Sequence, residues 1–175
     1  DLVELMIRVA AGERLPLDPE HLRFQGHAIE VRIVAEDTSN GFAPQIGTVH
    51  QVQVPDDVRW DSAIESGSEI SPHYDSMIAK LIVHGSTRDE ALAKMRRALD
   101  HLIIDGVVTT AGFHRWLLDQ EPVVAGRVTT RFLDETTLPQ RPDDELSAAL
   151  AAGAIAWAQA TDDDCDHSSP WMGSS

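Results

Sequence analysis

Residues 77–102, MIAKLIVHGSTRDEALAKMRRALDHL, decide the fold. Met77 to Val83 is an apolar run broken only by Lys80, which predicts a buried strand ended by Gly85. Thr87-Arg88-Asp89-Glu90 is a capping box: a Thr hydroxyl and a Glu carboxylate three residues later satisfy the first free N–H groups of a helix. The helix behind it places Ala91, Leu92, Met95, Ala98, Leu99 and Leu102 on one face.

Upstream, residues 26–34 alternate. His27, Ile29, Val31 and Ile33 point one way, and Ala28, Glu30, Arg32 and Val34 the other, the period of a strand. Glu36 to Gly47 has loop chemistry. A second strand is predicted from Thr48 to Val54, a turn at Pro55-Asp56-Asp57, and a short strand from Val58 to Asp61 carrying Arg59. Downstream, Ile103-Ile104-Asp105-Gly106 closes the strand–helix unit. Thr110 to Leu118 reads as a short helix with Phe113, Trp116 and Leu117 inward. Glycines 41, 47, 67, 85 and 106 read as turn glycines. Strands gather first and helices follow, so the expected class is α+β, an antiparallel sheet packed with helices rather than a doubly wound parallel one. Leu2, Leu5, Met6 and Val9 lie at helical spacing before Gly12. After Leu138 the composition changes: Pro139 and Pro142 form a hinge, an Ala-rich helix runs to Ala160, and an acidic, then Ser- and Gly-rich tail follows. The division is a domain over 1–138 and a helix-and-linker segment over 139–175.

The chain has 175 residues, enough for one domain and a tail. Its net charge of −15 argues against nucleic acid and anionic membrane as partners, since both need clustered Lys and Arg. No apolar run is long enough to span a bilayer. The single Cys165 excludes an internal disulfide and fits a reducing compartment. The chain opens within an amphipathic helix and without Met, which predicts a piece of a longer protein.

Arg59 is the sharpest candidate for chemistry. A guanidinium at the end of a short strand could hold an anion such as bicarbonate, or stabilise a developing oxyanion. Spacing alone favours the plainer reading, a surface arginine paired with Asp56, Asp57 or Asp61. Tyr74, Asp75 and Lys80 could form a polar network, or Asp75 could cap backbone N–H groups before the strand. Glu30 and Arg32 share a face and suggest a cross-strand ion pair. His21, His27, His50, His73, His84, His101, His114 and His167 lack the short spacing of a metal site. GxxxxGK[ST], GxGxxG and GxSxG are all missing, so nothing in the sequence holds ATP unaided.

GHAIEVRIVAED (26–37), FAPQIGTV (42–49), VRWDSAIESG (58–67), HYDSMIAKLIVHG (73–85) and LIIDGVVTT (102–110) occur in this order. Together they resemble the C-terminal domain of biotin carboxylase, as found in the biotin-carrying α subunits of acyl-CoA carboxylases. The resemblance covers about residues 1–135. It implies that Arg59 is the family's active-site arginine, which positions bicarbonate and stabilises the enolate form of biotin. It sets Asp105 at the edge of the biotin pocket, as a substrate-binding residue. It places Thr130 where the chain passes the adenine of ATP, with only backbone or packing involved, and His84 to Arg88 at the surface where such domains pair. The family usually has Pro after AED and FLPS or FLPT beyond it; here Thr38 and FAPQ put the local turn in doubt.

The implied reaction is ATP- and bicarbonate-dependent carboxylation of biotin on a carrier domain, with Mg2+. The upstream ATP-grasp domain would supply the nucleotide and magnesium residues, so the chain alone is expected to be inactive. The Ala-rich helix and DHSSPW resemble the exit toward the domain that docks the carboxyltransferase β subunit in the 3-methylcrotonyl-, propionyl- and geranyl-CoA carboxylase type. Other expected partners are the carrier domain and a second copy of the subunit. The implied compartment is the cytoplasm, or the mitochondrial matrix in a eukaryote. The alternatives are a non-catalytic assembly module, or the same domain from a pyruvate or urea carboxylating enzyme.

Overall fold

The computed structural model describes residues 1–139. The hinge at Pro142, the Ala-rich helix and the tail lie outside the described residues. In chain order the elements are α1 (Leu2–Ala10), β1 (His27–Val34), β2 (Glu36–Asp37), β3 (Ala43–Pro44), β4 (Gly47–Thr48), β5 (Gln51–Gln53), β6 (Arg59–Ser62), β7 (Glu69–Ile70), β8 (Met77–Gly85), α2 (Arg88–His101), β9 (Ile103–Asp105), α3 (Ala111–Leu117) and α4 (Glu121–Val124).

β8 is the axis of the molecule. It pairs antiparallel with β1 on one side and β6 on the other, giving the order β1-β8-β6. Short antiparallel pairs β2-β3, β4-β7 and β5-β9 surround this sheet, so the α+β class with antiparallel sheets holds. α2 lies across β8 and β1. Its Leu92, Met95, Ala98 and Leu99 meet Val31, Ile33, Leu81 and Val83 in one core. Ile33, Leu81, Leu92 and Met95 are essentially sealed from water, and burial of each contributes about 1.5–3 kcal/mol.

The start of α2 is tied down locally. The Thr87 hydroxyl accepts from Glu90 N–H at 3.2 Å. The Glu90 carboxylate reaches past the cap residue to Ser86 N–H at 2.8 Å, so this capping box is one residue wider than the sequence pattern suggests. Gly85 is not a turn glycine. It ends β8 and is buried, and a Cβ there would lie 2.6 Å from Ala91 N. The glycine lets the strand end meet the first turn of α2.

The predicted strand over 48–54 is two strands. Val49 is fully buried, accepts from Gly67 N–H and donates to Ser68 O. At His50 the chain turns to a new partner, its N–H donating to Asp105 O. β4 therefore pairs with β7, whereas β5 pairs with β9. In α3 the inward set is Phe113 with Leu118; Trp116 and Leu117 are half-buried.

α3 is clamped to the outer edge of β1. The Thr110 hydroxyl donates to Arg32 O at 3.1 Å and accepts from Val34 N–H, and Thr110 N–H donates to Val34 O. His114 Nε2 lies 2.8 Å from the same Arg32 carbonyl. These contacts cap an edge strand that would otherwise expose its polar backbone. α1 forms as its spacing predicts, capped by Asp1, but none of its residues is buried, and Leu2, Met6 and Ile7 are exposed. Among the described residues no helix is long and apolar enough to cross a membrane.

Candidate functional site

The sheet face opposite α2 carries charge. β6 alternates: Trp60 is half-buried and packs on the core, and Arg59 and Asp61 project to the other side. Strand register extends that face across the sheet in two rows. Glu30, Ile82 and Arg59 stand side by side, and Arg32, Lys80 and Asp61 form the next row. Directly opposed residues on one face lie roughly 5 Å apart. The face therefore mixes both charges, with Ile82 between Glu30 and Arg59 and with Lys80 between Arg32 and Asp61.

Arg59 is exposed but not free. Its Nε donates to Asp61 Oδ1 at 3.0 Å and its Nη2 to Asp61 Oδ2 at 2.9 Å, a side-on bidentate pair. The hydrogen bond to Asp61, reinforced by its charge, raises the Arg59 pKa above its usual value. The same hydrogen bond lowers that of Asp61, helped by the charges of Arg59 and Lys80. Both groups stay ionised at neutral pH. Of the three aspartates within spacing reach, Asp61 is the hydrogen-bonded partner; Asp57 lies 3.9 Å from Arg97 instead. The Glu30–Arg32 contact is also made, at 3.8 Å, but along β1 rather than across strands.

Asp105 is in a different place. It ends β9 at the rim of a cavity of about 750 Å3 lined by Thr38, Ser39, Gln45, Val107, Phe113 and Trp116 among others; Arg59 and Thr130 do not line it. The Asp105 carboxylate lies 3.6 Å from His50 Nδ1. Gly106 makes this corner possible: its φ is +101°, and a Cβ there would meet Thr48 O at 2.1 Å. Thr130 is exposed and opens the turn at 130–135.

Tyr74, Asp75 and Lys80 do not assemble into a network. Tyr74 is exposed, Asp75 Oδ1 accepts from Met77 N–H at 2.7 Å, and Lys80 stands opposite Asp61. Among the described residues no group of three or more His, Cys, Asp or Glu is arranged to hold a metal. The region from His84 to Arg88 is engaged within the chain. His84 Nε2 lies 2.9 Å from Gln25 O, and the Arg88 guanidinium donates to Val123 O and Val124 O at the end of α4. The sequence reading missed the cavity and the joint role of Thr110 and His114 at Arg32 O. The clamp joins residues 76–82 apart and the cavity sets residues 37–46 against 104–116, so local spacing carries no signal for either.

Residues 30–135 match the family model of the biotin carboxylase C-terminal domain. The chain is 47% identical over 136 residues to biotin carboxylase 1 of Bacillus subtilis, covering 77% of this chain and 30% of that protein. It is 40% identical over 169 residues to the mitochondrial methylcrotonoyl-CoA carboxylase subunit alpha of Oryza sativa, covering 89% of this chain and 23% of that one. Among solved structures it superposes on the biotin carboxylase domain dimer of Hydrogenobacter thermophilus 2-oxoglutarate carboxylase, in complex with MgADP, ADP and bicarbonate. The TM-score is 0.74 at 44% identity, over 77% of this chain and 30% of that one. The chain thus spans less than a third of each relative.

Proposed function

Because the chain belongs to the biotin carboxylase C-terminal domain family, we propose that it forms one wall of the active site in a subunit that carboxylates carrier-bound biotin. Bicarbonate and ATP supply the activated carboxyl group and biotin accepts it. Arg59 carries this reading: it sits on an exposed sheet face, and its bond to Asp61 uses only one side of the guanidinium. The residue presents N–H donors to bicarbonate, and to negative charge that develops on a ligand oxygen in the transition state. Asp105 borders the cavity and helps place the biotin end. Thr130 contributes backbone or packing beside the nucleotide. On this reading the residues that bind ATP and Mg2+ lie in an upstream ATP-grasp part of the subunit.

The exposed apolar side of α1 supports packing against that upstream part. The surface around His84 and Arg88 serves pairing of two subunits. We favour an acyl-CoA carboxylase of the methylcrotonyl, propionyl or geranyl type, with a carboxyltransferase β subunit and a biotin carrier domain as partners. The support is that similarity to the rice subunit runs into residues beyond 139, whereas the other two similarities reported above stop at 77% of the chain.

The test uses the full-length subunit. Arg59→Ala lowers kcat for biotin carboxylation by about 10²–10³-fold and leaves ATP binding within a few-fold. Loss of nucleotide binding in parallel would instead mark Arg59 as structural. The 175-residue chain alone shows no bicarbonate-dependent ATPase activity; finding it would overturn the division of labour. An assembly role without chemistry remains the second reading. The Arg59–Asp61 pair is also what an ordinary surface ion pair looks like, and that reading requires full activity in Arg59→Ala.

A further inference from the structure

The geometry points to Asp61 as the positioning residue of Arg59: it holds the guanidinium side-on, so that the end-on fork faces the ligand. This rests on the reading of Arg59 as a ligand-binding group.

A guanidinium has five N–H donors in a rigid plane. Asp61 takes one from Nε and one from Nη2, at 3.0 and 2.9 Å. The remaining donors, on Nη1 and the outer side of Nη2, make no hydrogen bond among the described residues. They form the second, end-on fork, whose spacing matches two oxygens of a planar anion. An exposed arginine without such a brace samples many rotamers, and fixing it on ligand binding costs conformational entropy. Asp61 removes that freedom beforehand. The two residues are i and i+2 on β6, so the strand pleat sets both on one face without any loop between them. Trp60 between them packs into the core and fixes the strand's rotation.

Lys80 completes the device. It is the register partner of Asp61 on β8, and its charge helps keep the carboxylate ionised. Asp61 therefore braces Arg59 without cancelling the positive charge of the face. Arg59, Lys80 and Arg32 outnumber Asp61 and Glu30 there.

The test is a double-mutant cycle in the full-length subunit, with biotin carboxylation as readout. Asp61→Ala is expected to lower kcat by about 10-fold, with KM for ATP and Tm unchanged, since loss of orientation alone costs of that order or more. Asp61→Glu, which keeps the charge and the two acceptor oxygens, restores most of the rate. In an Arg59→Ala background, Asp61→Ala causes no further loss. In the labelled protein the Arg59 Nε–H signal is protected from exchange in the parent and loses that protection in Asp61→Ala. The inference is overturned if Asp61→Ala keeps full kcat while Arg59→Ala does not, or if Asp61→Ala costs the same with and without Arg59. Full activity in Arg59→Ala removes the premise itself, a separate outcome.

Discussion

Gly67 and Gly106 have similar backbones and different surroundings. Both have φ near +100°, at +94° and +101°, where a side chain is strained. A Cβ on Gly67 meets nothing within 4 Å, whereas one on Gly106 would collide with Thr48 O. Gly67→Ala is therefore expected to cost about 1–2 kcal/mol of stability from the backbone alone. Gly106→Ala should cost clearly more, because β4 must move as well; urea midpoints of the two variants would separate the contributions. Turn glycines were legible from the sequence at 41, 67 and 106; Gly47 opens β4 instead. Gly85 was not, because its need comes from the close passage of Ala91, a tertiary contact. The partner of Arg59 was similarly open among three aspartates. Only the pleat of β6, which sets residues 59 and 61 on one face, selected Asp61.

Among the elements, the strand–helix unit of β8 and α2 was read almost completely. Its periodicities and caps are local, and they agree with the packing. Thr87→Ala is predicted to cost about 1 kcal/mol through loss of the cap at Glu90 N–H, measured by chemical denaturation. Glu90 adds a pH dependence. Its hydrogen bonds from Ser86 and Lys94 lower its pKa from 4.5 to about 2. A carboxyl with a lowered folded pKa contributes stability that is fully present above 4.5 and is lost as pH falls toward 2. Thermal melts over that interval should show a smaller acid loss in Glu90→Gln than in the parent chain. The segment 48–54 was harder. Its alternation slips at His50-Gln51, which puts Val49 out of phase with Val52 and Val54, but a slip of phase names neither β7 nor β9 as the partner.

At the scale of the whole molecule, the contact between α3 and β1 joins distant parts of the chain. Burial lowers the His114 pKa below 6.5, against a smaller opposing effect of its bond to Arg32 O. The unfolded chain therefore takes up that proton first. Stability contributed by neutral His114 is present above 6.5 and falls as pH drops from 6.5 toward the lowered folded value. Comparing His114→Leu with the parent across this range should show a shallower slope in the variant; an equal slope would place the proton uptake elsewhere. The amino-terminal segment behaves in the opposite way. Apart from the half-buried Leu5, the side chains of α1 are exposed. Deleting residues 1–24 should leave Tm within about 2 °C, since exposed groups contribute within roughly 0.5 kcal/mol.

The sequence alone determined the α+β class, the strand–helix axis, the helix caps and the candidacy of Arg59. These follow from side-chain period, cap chemistry and co-linear motifs, all of which act over a few residues. Tertiary structure decided the rest: the order β1-β8-β6, the switch of partner at His50, the clamp at Arg32 O and the Arg59–Asp61 fork beside Lys80. Strand register and long-range hydrogen bonds bring together residues far apart in the chain, and that proximity is a property of the folded chain rather than of any local stretch.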